Sequence, residues 1–533
     1  MTDHIVRPKP LLLVILDGFG ISQETQGNPA AEAQTPALHE IETYFPFVTL
    51  QASGVAVGLP WSEPGNSEVG HFTIGAGRVL YHHLPRIISS IADGSFFDNA
   101  ALKKVTDHVR RNHSNLHVAG LVSSGSVHSY INHLYALFEF AKREGLDNVF
   151  LHIFTDGRDA APEEGASLIS SLEERMRKEW PRAKIATIIG RFFAMDRDNH
   201  WDRIEKAYRL LAEGKGNTIS SAHEYLTASY AKGTSDEFIE PAVLADGGKK
   251  SLEIIRENDA LIFFNFREDS MRELTHAFVE PSFFHFPREK IKNLFLVTMT
   301  EYEKDLHGVT PLFHQLEITH PFAEVIGTAG LSHLHIAESE KYAHVTYFLN
   351  GGQEEPYPKE ERILIPSFST AHFDLVPEMR SPDITETILH NLKRFDVIIA
   401  NYANADMVGH AGNFQASVRA VEILDGEIKK IIHAVMKEGG VALITADHGN
   451  IEMKRDAISG ERMTKHSTNP VPLYLIGKEF RRGIARTPSE ISNLKKEAAG
   501  ILTDVAPTAL ELLEIPQPEE MTGKSLLPAL LQQ

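Results

Sequence analysis

The sequence predicts an α/β protein of two domains, one of them discontinuous and interrupted by the other. Three observations predict this. Short apolar runs alternate with longer amphipathic stretches, the pattern of βα units and parallel sheets. Polar residues follow the runs directly, where parallel sheets gather their ligands. Those residues change character along the chain, with carboxylates and imidazoles near both extremes and arginines in the middle.

The runs, in order, are Leu11–Leu16, His117–Val122, Val149–Phe154, Ile185–Ile189, Leu261–Phe264, Leu294–Thr298, Val397–Ala400 and Val441–Thr445. Unbroken apolar runs are what strands buried on both faces look like. Between them, Ile131–Glu144 carries Leu134, Leu137, Phe138 and Ala141 at helical spacing, and Gly165–Arg177 and Ala416–Glu438 have the same character. Leu11–Leu16 ends in Asp17-Gly18, Val397–Ala400 leads to Asn401, Asp406 and His410, and Val441–Thr445 leads to Asp447 and His448. In the middle, His128 follows Val122, while Asp156, Arg158 and Asp159 follow Phe154. Arg191 and Arg197 follow Ile189, and Arg267 follows Phe264. The contrast assigns residues 1–81 and 320–533 to an acidic, metal-type domain and residues 82–319 to an inserted cationic one. The expected junctions are Tyr81–Pro85 and Glu303–Pro321.

The 533 residues are 42% hydrophobic and 23% charged, as in soluble globular proteins, which excludes a disordered or fibrous chain. With 53 basic and 72 acidic residues the net charge is −19. Such a surface repels nucleic acid and anionic membranes, so neither is an expected partner, and an anionic substrate needs a local cluster of cations. The absence of cysteine removes disulfides, thiolate metal sites and thiol nucleophiles. Met1 to Pro10 is polar and the Leu11–Leu16 run is far shorter than the about 20 residues of a membrane span. A cytoplasmic protein is expected.

Asp406-Met-Val-Gly-His410 puts a carboxylate and an imidazole on one face of a helix. Asp447-His448 ends a strand, and His466 lies in a turn, His-Ser-Thr-Asn-Pro. Hard carboxylates and imidazoles without thiolate suit Mn²⁺, Mg²⁺ or Zn²⁺. Asp17, Ser67, Asp406, His410, Asp447, His448 and His466 are too many donors for one tetrahedral ion and enough for two. Ser67, in Gly-Asn-Ser-Glu-Val-Gly-His, reads either as a helix cap or as a nucleophile whose hydroxyl a dication acidifies. Arg158, Arg191, Arg197 and Arg267 have the forked geometry that grips phosphate, with Lys341 returning from the other domain. His128 and Asp159 can supply hydrogen bonding and acid–base work.

These motifs, with Gly-Arg191-Phe-Phe-Ala-Met-Asp-Arg197, Asn-Phe-Arg267 and Glu-Lys341-Tyr-Ala-His-Val-Thr, resemble the cofactor-independent phosphoglycerate mutases of the alkaline phosphatase superfamily. The resemblance runs in order along nearly the whole chain. It implies an alkaline-phosphatase-like metal domain with an inserted substrate domain, usually a monomer, interconverting 3-phosphoglycerate and 2-phosphoglycerate in glycolysis and gluconeogenesis without bisphosphoglycerate. It implies two divalent ions, Mn²⁺ foremost with Mg²⁺ and Co²⁺ as alternatives. One would sit on Asp406, His410 and His466, the other on Asp17, Ser67, Asp447 and His448. Ser67 would carry the phosphoryl group and Lys341 would offset its charge. Asp159 would be the acid/base, and His128, Arg158, Asp159, Arg191, Arg197 and Arg267 would bind substrate. The two domains are expected to close over it.

Three positions depart from the family pattern. Ser270 stands where a second phosphate-binding arginine follows Arg267, Ser124 replaces an aspartate, and His200 replaces an arginine before Trp201. Losing one charge-assisted contact costs roughly 1.5–3 kcal/mol, about 10- to 150-fold in binding. Ser270 therefore motivates an alternative function, a metal-dependent phosphatase or a mutase of a different small phosphorylated acid.

Overall fold

Every one of the eight apolar runs forms a strand, and two sheets result. The computed structural model describes residues 7–81, 83–246, 249–250, 253–304, 306–314, 317–370, 372–456 and 459–533. The chain divides into two compact units, Met1–His82 with Leu316–Gln533, and His83–Gln315.

In the first unit eight strands lie in the order Glu360–Ile365, His333–Glu338, Val397–Tyr402, Leu11–Leu16, Val441–Thr445, Val471–Ile476, Phe47–Gln51 and Gly500–Ile501. The first five are mutually parallel, and Val471–Ile476 runs antiparallel to both its neighbours. Leu11–Leu16 is wholly buried at the centre, as its lack of polar alternation requires. The longest helix, Phe414–Glu438, starts at Asn413, whose side chain accepts from Ala416 N, and stops at Gly439 with φ +78°. It buries Val418, Val421, Leu424, Ile428, Ile431 and Val435, one stripe at helical spacing. From the same helix, buried Asp425 accepts from the backbone N of Ala37 (3.1 Å) and Leu38 (2.8 Å). Its carboxylate thereby fills the unpaired donors that open helix Pro36–Tyr44.

The second unit orders its strands Val309–Phe313, Phe295–Thr300, Ala260–Phe263, Leu116–Val122, Val149–Thr155, Ala183–Gly190, Ala242–Asp246 and Asn217–Ile219. Lys249–Lys250 pairs with Ala242–Asp246. The first six are parallel. Alternation sends Leu116, Val118 and Val122 to one core and Ala119 and Leu121 to another, so helices cover both faces. Among the described residues, no helix is long and apolar enough to cross a membrane.

Candidate metal centre and phosphate pocket

Sheet order builds the first cluster. Leu11–Leu16 lies between Val397–Tyr402 and Val441–Thr445, with Leu16 opposite Tyr402 and Ile15 opposite Thr445. Asp17, Asp406 and Asp447 therefore emerge at one carboxyl edge, all buried. Asp406 opens helix Asn404–Ala411 and His410 follows one turn later. Gly18, at φ +75°, is required at this edge, because a Cβ there would meet Asp406 backbone and side-chain carbons at 2.8 Å.

His410 Nε2 and His466 Nε2 are 3.0 Å apart, and each is 3.2 Å from Asp406 Oδ1. Their Nδ1 atoms are committed elsewhere: His410 donates to Thr464 O (3.1 Å) and His466 to Gly65 O (2.7 Å). Two Nε2 atoms and one carboxylate oxygen thus face a common point. Donors bound at about 2.1 Å to one ion stand about 3.0–3.4 Å from one another, so this triangle fits a metal ion.

Beside it, Ser67 Oγ is 3.1 Å from Asp17 Oδ1 and 3.0 Å from His448 Nε2. His448 Nε2 is 3.6 Å from both Asp17 Oδ1 and Asp447 Oδ2. Among the described residues Asp447 Oδ2 is buried without a hydrogen-bond donor, since His71 Nδ1, 3.2 Å away, is given to Ser67 O at 2.8 Å. Lys341 Nζ donates to Asp17 Oδ1 (2.7 Å), Ser67 Oγ (2.7 Å) and Asp406 Oδ2 (2.6 Å). Burial disfavours the ammonium, but Asp17, Asp406 and Asp447 outweigh it and hold Lys341 above the usual lysine range. Asp17 is pushed up by burial and by repulsion from Asp447, partly offset by Lys341. Burial also opposes ionisation of Asp406 and Asp447, but Lys341 and the imidazoles hold both far below the normal carboxylate range. His466 is disfavoured as a cation by burial, yet Asp406 raises it above the ordinary imidazole value. Three carboxylates crowd this buried edge, and burial together with Asp447 already pushes Asp17 up, so the desolvated site is stabilised by added cations. The donor set, the lone-pair geometry and the orphaned Asp447 oxygen all fit two divalent ions.

Ser67 is the first residue of helix Ser67–Ala76, and Asn66 is the cap, its side chain accepting from Val69 N. The capping reading of Ser67 is corrected accordingly: the two neighbouring residues are both good caps, and Asn66 takes the position. That leaves the Ser67 hydroxyl for Asp17, His448 and Lys341.

The second cluster lies in the other unit, where a cavity of about 200 Å³ is lined by His128, Arg158, Asp159, Arg191, Arg197 and Arg267, among others. The four arginines are not equivalent. Arg191 is buried and bound to Asp156 (2.7 Å) and Asp159 (2.5 Å), so it holds the Asp156-Gly-Arg-Asp159 turn. Arg197 and Arg267 share Asp269 at 2.6 and 2.9 Å, and Arg158 has only a distant acidic neighbour, Glu237 at 3.9 Å. His128 is pushed down to about 4 by burial and by Arg191 and Arg267, so it is neutral at pH 7. Its Nδ1 is 3.0 Å from the Ser270 hydroxyl. Ser270 is 2% exposed. Arg272 does not substitute for it, since its guanidinium donates to Tyr302 O. Ser124 instead donates to Glu164 (2.8 Å), and His200 lies 3.1 Å from Asp196, which also holds Arg203.

Sequence reasoning gave no role to the groups that surround these side chains, although it placed Asn401 at the end of the Val397–Ala400 run. Asn401 donates to Asp17 (2.7 Å), Asn450 to Asp406 (2.8 Å), and His71 lies 3.2 Å from Asp447. Their signal was adjacency: Asn450 follows Asp447-His448-Gly, and Asp269 follows Arg267-Glu.

Residues 87–304 match the family described as BPG-independent PGAM N-terminus. The chain is 45% identical over 520 residues to the 2,3-bisphosphoglycerate-independent phosphoglycerate mutase of Moorella thermoacetica, spanning 97% of this chain and 98% of that protein. It is 46% identical over 522 residues to the 2,3-bisphosphoglycerate-independent phosphoglycerate mutase 1 of Methanosarcina acetivorans, again spanning 97% and 98%. A crystal structure of Leishmania mexicana phosphoglycerate mutase at low cobalt concentration is 30% identical, with a TM-score of 0.57 and 98% of each chain covered. With that identity sustained over nearly the full length, the chain belongs to the 2,3-bisphosphoglycerate-independent phosphoglycerate mutases.

Proposed function

We propose that the protein interconverts 3-phosphoglycerate and 2-phosphoglycerate through a phosphoserine at Ser67. Family membership supports the overall reaction. The observation that carries the mechanism is the Ser67 hydroxyl, which lies within hydrogen-bonding distance of Asp17, His448 and Lys341 together.

In this reading Asp406, His410 and His466 hold one divalent ion, and Asp17, Ser67, Asp447 and His448 hold the other. When bound, the ions acidify the Ser67 hydroxyl and offset phosphoryl charge, and the histidine content favours Mn²⁺ over Mg²⁺. Lys341 is held charged, so it cannot take the Ser67 proton. It orients Oγ and balances charge on the transferring group. With the Ser67 proton already lost to solvent, the Oγ–P bond forms as the bond from phosphorus to the glycerate oxygen breaks, and that oxygen takes a proton from Asp159, which enters the step protonated. The second glycerate hydroxyl returns its proton to Asp159 and takes the phosphoryl group from Ser67. Arg158, Arg197 and Arg267 bind the anionic groups, and Arg191 and Asp156 position Asp159. The phosphoserine must be kept from bulk water while glycerate reorients, since water attacking its phosphorus would release phosphate.

The test is to give the enzyme 3-phosphoglycerate and Mn²⁺ without bisphosphoglycerate, quench, and map the phosphopeptide. Phosphoserine at Ser67, absent from a folded but inactive Ser67→Ala, is expected. Retained turnover in that variant overturns the assignment. The buried Ser270 in the pocket wall favours one second reading, a phosphatase or a mutase of another small phosphorylated acid. Free phosphate without 2-phosphoglycerate would select the phosphatase.

A further inference from the structure

His333 and His335 stand two residues apart on strand His333–Glu338, so their side chains share one face of the sheet. Both are fully buried. Glu360, the register partner of His333 on the edge strand Glu360–Ile365, joins them. The three residues each bring a ligand atom within 4.8 Å of the others. None of them belongs to the cluster around Ser67.

Their protons do not add up. His333 Nε2 lies 3.2 Å from Pro358 O, and His335 Nδ1 lies 2.5 Å from Val345 O. A carbonyl only accepts, so each neutral ring spends its single N–H there. The remaining nitrogens, His333 Nδ1 and His335 Nε2, face each other at 3.0 Å with lone pair against lone pair.

Two other histidine pairs show what the arrangement means. His410 and His466 have the same signature, with both Nδ1–H groups given to carbonyls and the Nε2 atoms 3.0 Å apart beside a carboxylate. His117 and His152 are the contrast. Asp259 accepts from His117 Nε2 (3.1 Å), His117 Nδ1 accepts from His152 Nε2 (2.9 Å), and His152 Nδ1 accepts from the Thr187 hydroxyl (2.9 Å). That chain closes with one proton per ring and needs no ion. The His333–His335 pair does not close.

We propose that His333 Nδ1, His335 Nε2 and the Glu360 carboxylate form a further site for a transition-metal dication such as Zn²⁺, which staples the edge strand Glu360–Ile365 to its neighbour. Two imidazoles and a carboxylate make a Zn²⁺ set, whereas Mg²⁺ requires oxygen ligands. The carbonyls of Pro358 and Val345 fix the ring tautomers. Arg362 Nε (2.5 Å), Asn350 Nδ2 (2.8 Å) and Tyr357 N (2.9 Å) fix the carboxylate.

Anomalous diffraction at the zinc edge tests this on crystals of the untagged chain, stripped by chelator and reloaded with Zn²⁺. A peak bonded to His333 Nδ1 and His335 Nε2 is expected. Peaks at the Asp406 cluster with none at His335 overturn the proposal, and this reading needs no variant to fold. In solution, His335→Gln should bind one Zn²⁺ fewer per chain than the unaltered protein and lose part of its Zn²⁺-dependent gain in Tm. Its Mn²⁺-supported mutase activity should be unchanged. A folded His335→Gln that binds as many Zn²⁺ ions as the parent overturns the proposal.

Discussion

Lys341 Nζ and Ser67 Oγ lie 2.7 Å apart at the point where two aspartates, Asp17 and Asp406, also converge on the ammonium. Lys341 donates to two of the three buried carboxylates and to the Ser67 hydroxyl at once, so under the proposed mechanism it ties nucleophile, charge balance and cation affinity together.

Removing that charge separates folding from catalysis. Lys341→Met should lower kcat about 10²–10³-fold, as for loss of a group that stabilises transition-state charge. It also leaves buried carboxylates unpaired, costing about 3–5 kcal/mol in the metal-free protein. Divalent cations should therefore raise the Tm of the variant more than that of the parent. Equal Mn²⁺-dependent shifts in the two proteins would contradict the charge accounting.

Chelation of the parent enzyme has a smaller counterpart. At a hundred-fold excess over Kd, a cation adds about 2.7 kcal/mol to stability through mass action. Unfolding midpoints measured with Mn²⁺ and with chelator should differ accordingly, and coincident midpoints would argue against ion binding by the folded state.

Ser270→Arg should lower the KM for phosphoglycerate by about ten-fold or more, because it restores one charge-assisted contact to the cavity wall. An unchanged or raised KM in steady-state assays would mean that His128 and Ser270 together already complete the pocket.

Among the described residues His133 has no hydrogen-bond partner on either ring nitrogen, and burial pushes it down to about 3. The unfolded chain takes up a proton near pH 6.5 while the folded chain does not, so this group's stability is complete above pH 6.5. It is lost as pH falls toward 3, with a slope of up to about 1.4 kcal/mol per pH unit. Urea midpoints should fall between pH 7 and pH 5, and His133→Leu should flatten the slope. An unaltered slope in the variant would count against this assignment.

Gly18→Ala should cost about 1–3 kcal/mol through strain at positive φ and should also weaken ion binding, since its Cβ would press on Asp406. Calorimetry and Mn²⁺ titration read the two effects separately. A variant with native affinity would show that the edge relaxes around the methyl group.

The central strands were legible in the sequence because burial on both faces demands unbroken apolar residues, as in Leu11–Leu16 and Val441–Thr445. The outer strands were not. His333–Glu338 reads HLHIAE and Glu360–Ile365 reads EERILI, mixtures that periodicity alone does not separate from loop. The donors of the Ser67 cluster were legible because Asp and His directly beyond apolar runs have few structural uses. The carboxylates holding the arginines, Asp156 and Asp269, were not, because a pocket for an anion gives no reason to expect acids beside its cations. Their role follows only from geometry, in which Asp156 braces Arg191 and Asp269 bridges Arg197 and Arg267.

The strand Leu11–Leu16 has both sheet partners at the far end of the polypeptide, at Val397–Tyr402 and Val441–Thr445. During synthesis at about 5–20 residues per second, the roughly 380 residues between them take about 20–80 s to emerge from the ribosome. For that interval a fully apolar segment waits without an edge to join, while the intervening unit has all its own strands in hand. A chain cut short before Val397 therefore holds every strand of the middle unit but neither partner of Leu11–Leu16, and it lacks Asp406, His410, Asp447, His448 and His466.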